Sequence, residues 1–248
     1  MIKTDILIIG AGPTGLFTVF EAGLLKMKCH ILDSLTQPGG QCIELYPKKP
    51  IYDIPGYPEI IAGDLIENLL EQIKPFQPSY TLGETALNLD KLDDGSFKVT
   101  TDKGTEILAK IIAIAGGLGT FTPRKPNISN ISDYENKGIL YMIKDPSEFK
   151  DKKVVIAGGG DSALDWSIQL SKISKKVILI HRRNEFRGAD DSVASVQKLK
   201  DLGKIDVITP AQVEKLNGKS RLESIIIDVG GNKNKIETDY FIPLFGLV

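Results

Sequence analysis

The chain carries one short pattern twice, and that repeat limits its fold more than any other feature. Ile6-Leu7-Ile8-Ile9-Gly10-Ala11-Gly12-Pro13-Thr14-Gly15-Leu16 is matched by Val154-Val155-Ile156-Ala157-Gly158-Gly159-Gly160-Asp161-Ser162-Ala163-Leu164. Each copy opens on a run of aliphatic residues, as a parallel strand buried on both faces requires. Each then turns through glycines into a stretch with helical apolar spacing. A second apolar run follows: Cys29-His30-Ile31-Leu32 in the first copy, Val177-Ile178-Leu179-Ile180 in the second. These are two β-α-β units.

Between the copies the pattern changes. Residues 86–92, 97–101 and 106–109 are short strand-like pieces, separated by the turn signals Asp93-Asp94-Gly95 and Asp102-Lys103-Gly104. They predict a small antiparallel β-meander. Ile111-Ile112-Ala113-Ile114-Ala115-Gly116-Gly117 then returns as a buried strand ending in glycines. The Pro/Asn/Ser-rich stretch 122–132 reads as a linker. The fold class expected is α/β, with two Rossmann-like dinucleotide-binding domains. The divisions are 1–120, 121–243 and a short remainder, 244–248, that begins a return to the first domain.

In the first copy Gly10, Gly12 and Gly15 fit G-x-G-x-x-G, and Asp33 closes the next strand about twenty residues on. Gly10 permits the tight turn, Gly12 lets a pyrophosphate approach the backbone, and Gly15 lets helix and strand pack closely. The free N–H groups and positive dipole end of the helix then face the phosphates. Asp33 can accept hydrogen bonds from ribose hydroxyls. A glycine turn alone is also compatible with ordinary strand-helix packing; strand, helix, second strand and terminal acid together point to a dinucleotide.

In the second copy Gly158 and Gly160 keep the turn, Ala163 replaces the third glycine, and the Ser162 hydroxyl is placed to bond a pyrophosphate. The position of Asp33 falls on His181, followed by Arg182, Arg183 and Arg187. A carboxylate there would repel a 2′-phosphate, whereas arginines bind it in bidentate fashion. The plainer reading is a solvated basic strand end. Its place at the tip of the second strand favours NADP over NAD. Two dinucleotide sites in one chain suggest hydride transfer from NADPH to a flavin, which then releases electrons singly. The flavin performs that chemistry, so no catalytic side chain is required.

The remaining features exclude more than they assign. A net charge of -1 gives no basic footprint for nucleic acid or an anionic membrane. No apolar run is long enough to span a bilayer, and two cysteines, Cys29 and Cys42, imply no disulfide framework. A cytoplasmic location is the default. Cys29 lies in an apolar strand and reads as core. Cys42 follows Gly39-Gly40-Gln41, but Pro47 stands where a C-x4-C partner would be, and no cysteine precedes the second glycine turn. His30 and His181 have no metal-ligand spacing, and Trp166 reads as packing.

The residues now quoted, with Leu45-Tyr46-Pro47, Ile51-Tyr52-Asp53-Ile54-Pro55-Gly56 and Asp165-Trp166, resemble the ferredoxin–NADP reductases of thioredoxin-reductase type found in bacteria. The likeness runs over nearly the whole chain. It implies FAD, NADP, a homodimer, and reversible electron transfer between NADPH and ferredoxin or flavodoxin. Position by position, it places FAD contacts on Thr14, Asp33, Gln41, Tyr46, Ala86 and Phe121. Gly188-Ala189-Asp190 departs from the pattern. The family continues beyond Phe245-Gly246-Leu247-Val248 with a segment that closes the flavin pocket, so a fragment with that pocket open on one side is expected. Two alternatives accompany this reading: a flavin-dependent NADPH reductase of another small acceptor or low-molecular-weight disulfide, and an inactive nucleotide-binding remnant.

Overall fold

A computed structural model describes residues 1–119 and 123–246. The chain divides into two compact units, Met1–Thr120 and Phe121–Val248.

The first unit contains β1 (Ile2–Ile9), α1 (Pro13–Leu24), β2 (Cys29–Asp33), α2 (Gln41–Glu44), β3 (Pro50–Ile51), β4 (Ile60–Ile61), α3 (Ala62–Ile73), β5 (Ser79–Leu82), β6 (Ala86–Lys91), β7 (Phe97–Thr101) and β8 (Glu106–Ile114). One six-stranded sheet runs β5-β2-β1-β8-β7-β6. Its first four strands are parallel; β7 and β6 are antiparallel additions. The apolar run of β1 is explained by burial on both faces. Ile6 and Ile8 pack with Leu16, Val19 and Ile66 under α1 and α3, while Leu7 packs with Leu32, Val99 and Ile107 on the other face. Pro13 opens α1, where its missing N–H costs nothing.

Both hairpins form where the sequence places them, with Gly95 and Gly104 at φ +82° and +81°. Two expectations change here. The pieces at 106–109 and 111–117 are not separate: β8 is one strand that pairs antiparallel with β7 and parallel with β1. Lys110 interrupts the apolar pattern without breaking the strand: the ladder to β1 continues on both sides of it, and its exposed side chain puts Nζ 2.8 Å from Asp5. Nor is the second half of β8 buried; Ile111 is 46% and Ile114 80% exposed.

The second unit contains β9 (Lys153–Ala157), α4 (Asp161–Leu170), β10 (Lys176–Ile180), α5 (Asp190–Asp201), β11 (Ile205–Ile208), β12 (Gln212–Gly218), β13 (Leu222–Val229), β14 (Asn232–Glu237) and β15 (Tyr240–Pro243). A parallel sheet runs β11-β10-β9-β15. Helices α4 and α5 pack on one face. On the other, Leu216, Leu222, Ile225 and Ile227 from the antiparallel sheet β12-β13-β14 meet Val155, Ile178, Ile180 and Phe241. That second sheet, with α3 and α5, is absent from the sequence reading. Residues 240–243 form the edge strand of this parallel sheet, beside β9, with Phe241 and Ile242 fully buried. Ile128, inside the expected linker, also belongs to this core.

Candidate functional site

Each glycine turn lies where the strand order reverses, the place at which open α/β sheets bind ligands. In the first unit, β1 leads to β2 on one side, and β8 lies on the other. Gly10 donates its N–H to Leu32 O at 2.8 Å, and Ala115 donates to Ile9 O at 2.7 Å. Gly10 has φ +110°, and the Ala115 carbonyl occupies the space a Cβ would need. At Gly15 the Gly10 carbonyl oxygen fills that space instead, so α1 sits directly on the turn. Gly12 caps α1 without a side-chain hydrogen bond, leaving first-turn amides for a ligand.

The loop carrying Gln41 packs onto this turn. Gly39 donates its N–H to Ala11 O at 2.8 Å, and Gly12 and Gly40 face each other with no side chain between them. Gln41 opens α2 and extends toward Gly117. Asp33 is held at the turn by its own carboxylate: Oδ2 accepts the Ala11 N–H at 2.5 Å and Oδ1 the Leu35 N–H at 2.8 Å. Thr14 is exposed in the first turn of α1. Glu84 donates its N–H to Asp33 O at 3.2 Å, which brings Ala86, at the start of β6, to the same end of the sheet. Tyr46 packs against the core beside Cys42. Burial, then the negative charges at Cys42 and Asp53, push its phenol up to about 12. Phe121 lies outside the described residues.

The second unit repeats the geometry with different chemistry. Gly158 donates to Ile180 O at 3.0 Å, and a Cβ on it would stand 2.7 Å from both Ala163 Cβ and Leu244 O. Gly160 caps α4, again with no capping side chain, and a Cβ there would meet nothing within 4 Å. Ser162 is exposed beside it. His181 is 6% exposed, and its imidazole lies where a side chain on Gly159 would be. Burial, then the charges of Arg187, Arg182 and Arg183, pull its pKa below the usual 6.5. Its Nε2 has no hydrogen-bond partner. The three arginines are exposed around it, and Arg187 N–H donates to Gly159 O at 2.6 Å.

One pair of equivalent positions sets the two turns apart chemically. Ala11 and Asp33 share a hydrogen bond in the first; Gly159 and His181 pack face to face in the second. Sequence reasoning found the acid and the arginines but missed Gly159, Asp161 and Gly188, which fix the arginine loop. It also missed Ala115 and Leu244, just past the ends of β8 and β15, which close each turn. Glycine runs were the available signal for Gly159; nothing local marks the other strand's contribution.

Cys29 and Cys42 are buried free thiols, and burial raises the pKa of both. His30 is buried between Ser79 Oγ (2.7 Å) and Thr81 Oγ1 (2.8 Å), as a structural strand residue. Among the described residues no cluster of His, Cys, Asp and Glu could hold a metal, and no helix is long and apolar enough to cross a membrane.

The family model described as pyridine nucleotide-disulphide oxidoreductase matches residues 4–248. A Flavobacterium johnsoniae protein named ferredoxin--NADP reductase is 67% identical over 247 residues, spanning 100% of this chain and 71% of that protein. A Rickettsia rickettsii protein of the same name is 49% identical over 249 residues, covering 100% and 73%. The solved thioredoxin reductase of T. acidophilum superposes with a TM-score of 0.83 at 24% identity, covering 100% of this chain and 78% of that one, and shares the fold. Two glycine turns, each after a central parallel strand, and this degree of likeness, place the chain: it belongs to the pyridine nucleotide-disulphide oxidoreductase family, with the relatives named ferredoxin--NADP reductase.

Proposed function

We propose that this chain is an NADPH-dependent ferredoxin reductase that holds FAD in its first unit and NADP in its second. The observation that carries the assignment is the substitution of His181, Arg182, Arg183 and Arg187 for the acid that stands at Asp33 in the other copy. The first unit would hold the FAD pyrophosphate on the amides after Gly10 and Gly12, its ribose on Asp33, and the rest along Thr14, Gln41, Tyr46 and Ala86. The uncapped α1 and the slot between Gly12 and Gly40 fit that group. The second unit would hold NADP on Gly158, Gly160 and Ser162, with the arginines on the 2′-phosphate. When bound, FAD supplies the exchange between two-electron chemistry with a nicotinamide and one-electron chemistry with an iron–sulfur acceptor.

The protein's part is to bind and orient. Ferredoxin is the electron partner that the relatives' names support, flavodoxin is a second acceptor of the same kind, and a cytoplasmic homodimer is the form proposed. Cys29 and Cys42 are buried, and burial raises the pKa of each, as expected of structural thiols. The test is a visible spectrum of the purified chain, followed by NADPH addition and then oxidised ferredoxin. A flavin spectrum that NADPH bleaches and ferredoxin restores is expected. A colourless protein that cannot be reconstituted with FAD would remove the assignment.

A further inference from the structure

Asp161 occupies the first turn of α4, the turn whose amides would face a pyrophosphate. A carboxylate there competes with an anionic ligand for the positive end of the helix. The structure gives it other work. Asp161 Oδ1 accepts the backbone N–H of Ala189 at 2.7 Å. Two residues earlier, Arg187 N–H donates to Gly159 O at 2.6 Å. Between these bonds lies Gly188, on which a Cβ would stand 2.5 Å from Leu164 Cδ1, 3.0 Å from Asp161 Oδ1 and 3.2 Å from Asp161 N. Farther along, Ser192 Oγ donates to Asp165 Oδ1 at 3.2 Å, one turn on in α4. The loop that bears Arg182, Arg183 and Arg187 therefore begins at β10 and is tied at its far end to the glycine turn.

We propose that Asp161 is a positioning residue for recognition of the 2′-phosphate, its carboxylate latching the arginine loop to the glycine turn. The proposal rests on the NADP reading of the second unit. A 2′-phosphorylated adenosine must meet two sites at once: amides at the start of α4 and guanidinium groups on the loop. With the loop end tied, their spacing is set before the nucleotide arrives, and binding does not have to order the loop. An adenosine diphosphate without the 2′-phosphate uses only the glycine turn. The latch therefore governs discrimination between the two ligands more than affinity for either. It also gives Gly188 a reason, since a side chain there would push the loop off α4.

The experiment uses the full chain and two ligands that carry no nicotinamide, 2′,5′-ADP and 5′-ADP, titrated by calorimetry. Asp161→Asn keeps an acceptor oxygen for the Ala189 N–H; Asp161→Ala removes it. Asp161 is exposed, and thermal melting would check that both variants are folded. The preference for 2′,5′-ADP should fall about tenfold or more in Asp161→Ala, the scale of one lost hydrogen bond to a charged group. Asp161→Asn should retain it. Hydrogen exchange at the Ala189 amide should speed up in the alanine variant alone. An unchanged preference in Asp161→Ala, equal losses for both ligands, or the same loss in Asp161→Asn would each overturn the latch. Wild-type protein that binds 5′-ADP as tightly as 2′,5′-ADP would instead remove the NADP reading, and the latch with it.

Discussion

Asp33 and His181 occupy equivalent places, yet one turn carries a carboxylate and the other a cationic rim. Asp33 keeps a carboxylate beside Ala11 N–H, which suits neutral ribose hydroxyls. His181 withdraws a neutral ring beneath Gly159 and leaves the exposed rim to arginines. Arg182→Ala and Arg183→Ala should each weaken NADPH binding about tenfold or more, with little effect on NADH. Paired titrations with both nucleotides check this, and equal wild-type affinities would refute it. A second prediction concerns His30. Burial lowers its folded-state pKa below 6.5, so the unfolded chain takes up a proton first as the pH falls. Stability from this group is therefore complete above pH 6.5 and is lost as the pH drops through the folded-state value. Thermal melts between pH 7.5 and 5 should show the loss, and His30→Gln should flatten that slope.

At the scale of elements, the glycines divide into those that permit packing and those that leave room. Gly15→Ala puts a methyl group against the Gly10 carbonyl, and should destabilise the protein by about 1–3 kcal/mol. Gly160→Ala meets no protein atom within 4 Å, so it should leave the melting temperature nearly unchanged while sharply reducing NADPH affinity. A parallel loss of stability in Gly160→Ala would show that its role is in folding.

The strands β1, β2, β9 and β10 were legible because strands buried on both faces leave unbroken aliphatic runs. The hairpins at Gly95 and Gly104 were legible because those turns need glycine. What escaped lacks such a mark. In α5 only Val196 is fully buried, so no apolar stripe announces it. In β8 the exposed Lys110 splits an otherwise continuous strand. In the site, Asp161 and Gly188 gain their meaning only when α4 meets the loop before α5, a contact between residues far apart in sequence.

For the whole molecule, the two thiols matter because the family's description mentions disulphide chemistry. Both lie in the core of the first unit. Cys29→Ser combined with Cys42→Ser should keep NADPH-driven diaphorase turnover, with a stability loss of about 1–3 kcal/mol from burying hydroxyls. Abolished turnover in a folded, flavin-containing double variant would assign a redox role to Cys42.

Each glycine turn is closed by backbone from far along the chain. Gly10 rests against Ala115, and Gly158 against Leu244, so neither cradle is assembled from its local motif alone. On a ribosome, the strand, glycines and helix of each unit emerge early, but the backbone that completes the crevice arrives much later. Contacts so distant in sequence form slowly, since loop-closure entropy is lost before they are made. Binding competence should therefore mature after helical structure during refolding, which stopped-flow circular dichroism followed beside nucleotide binding would show.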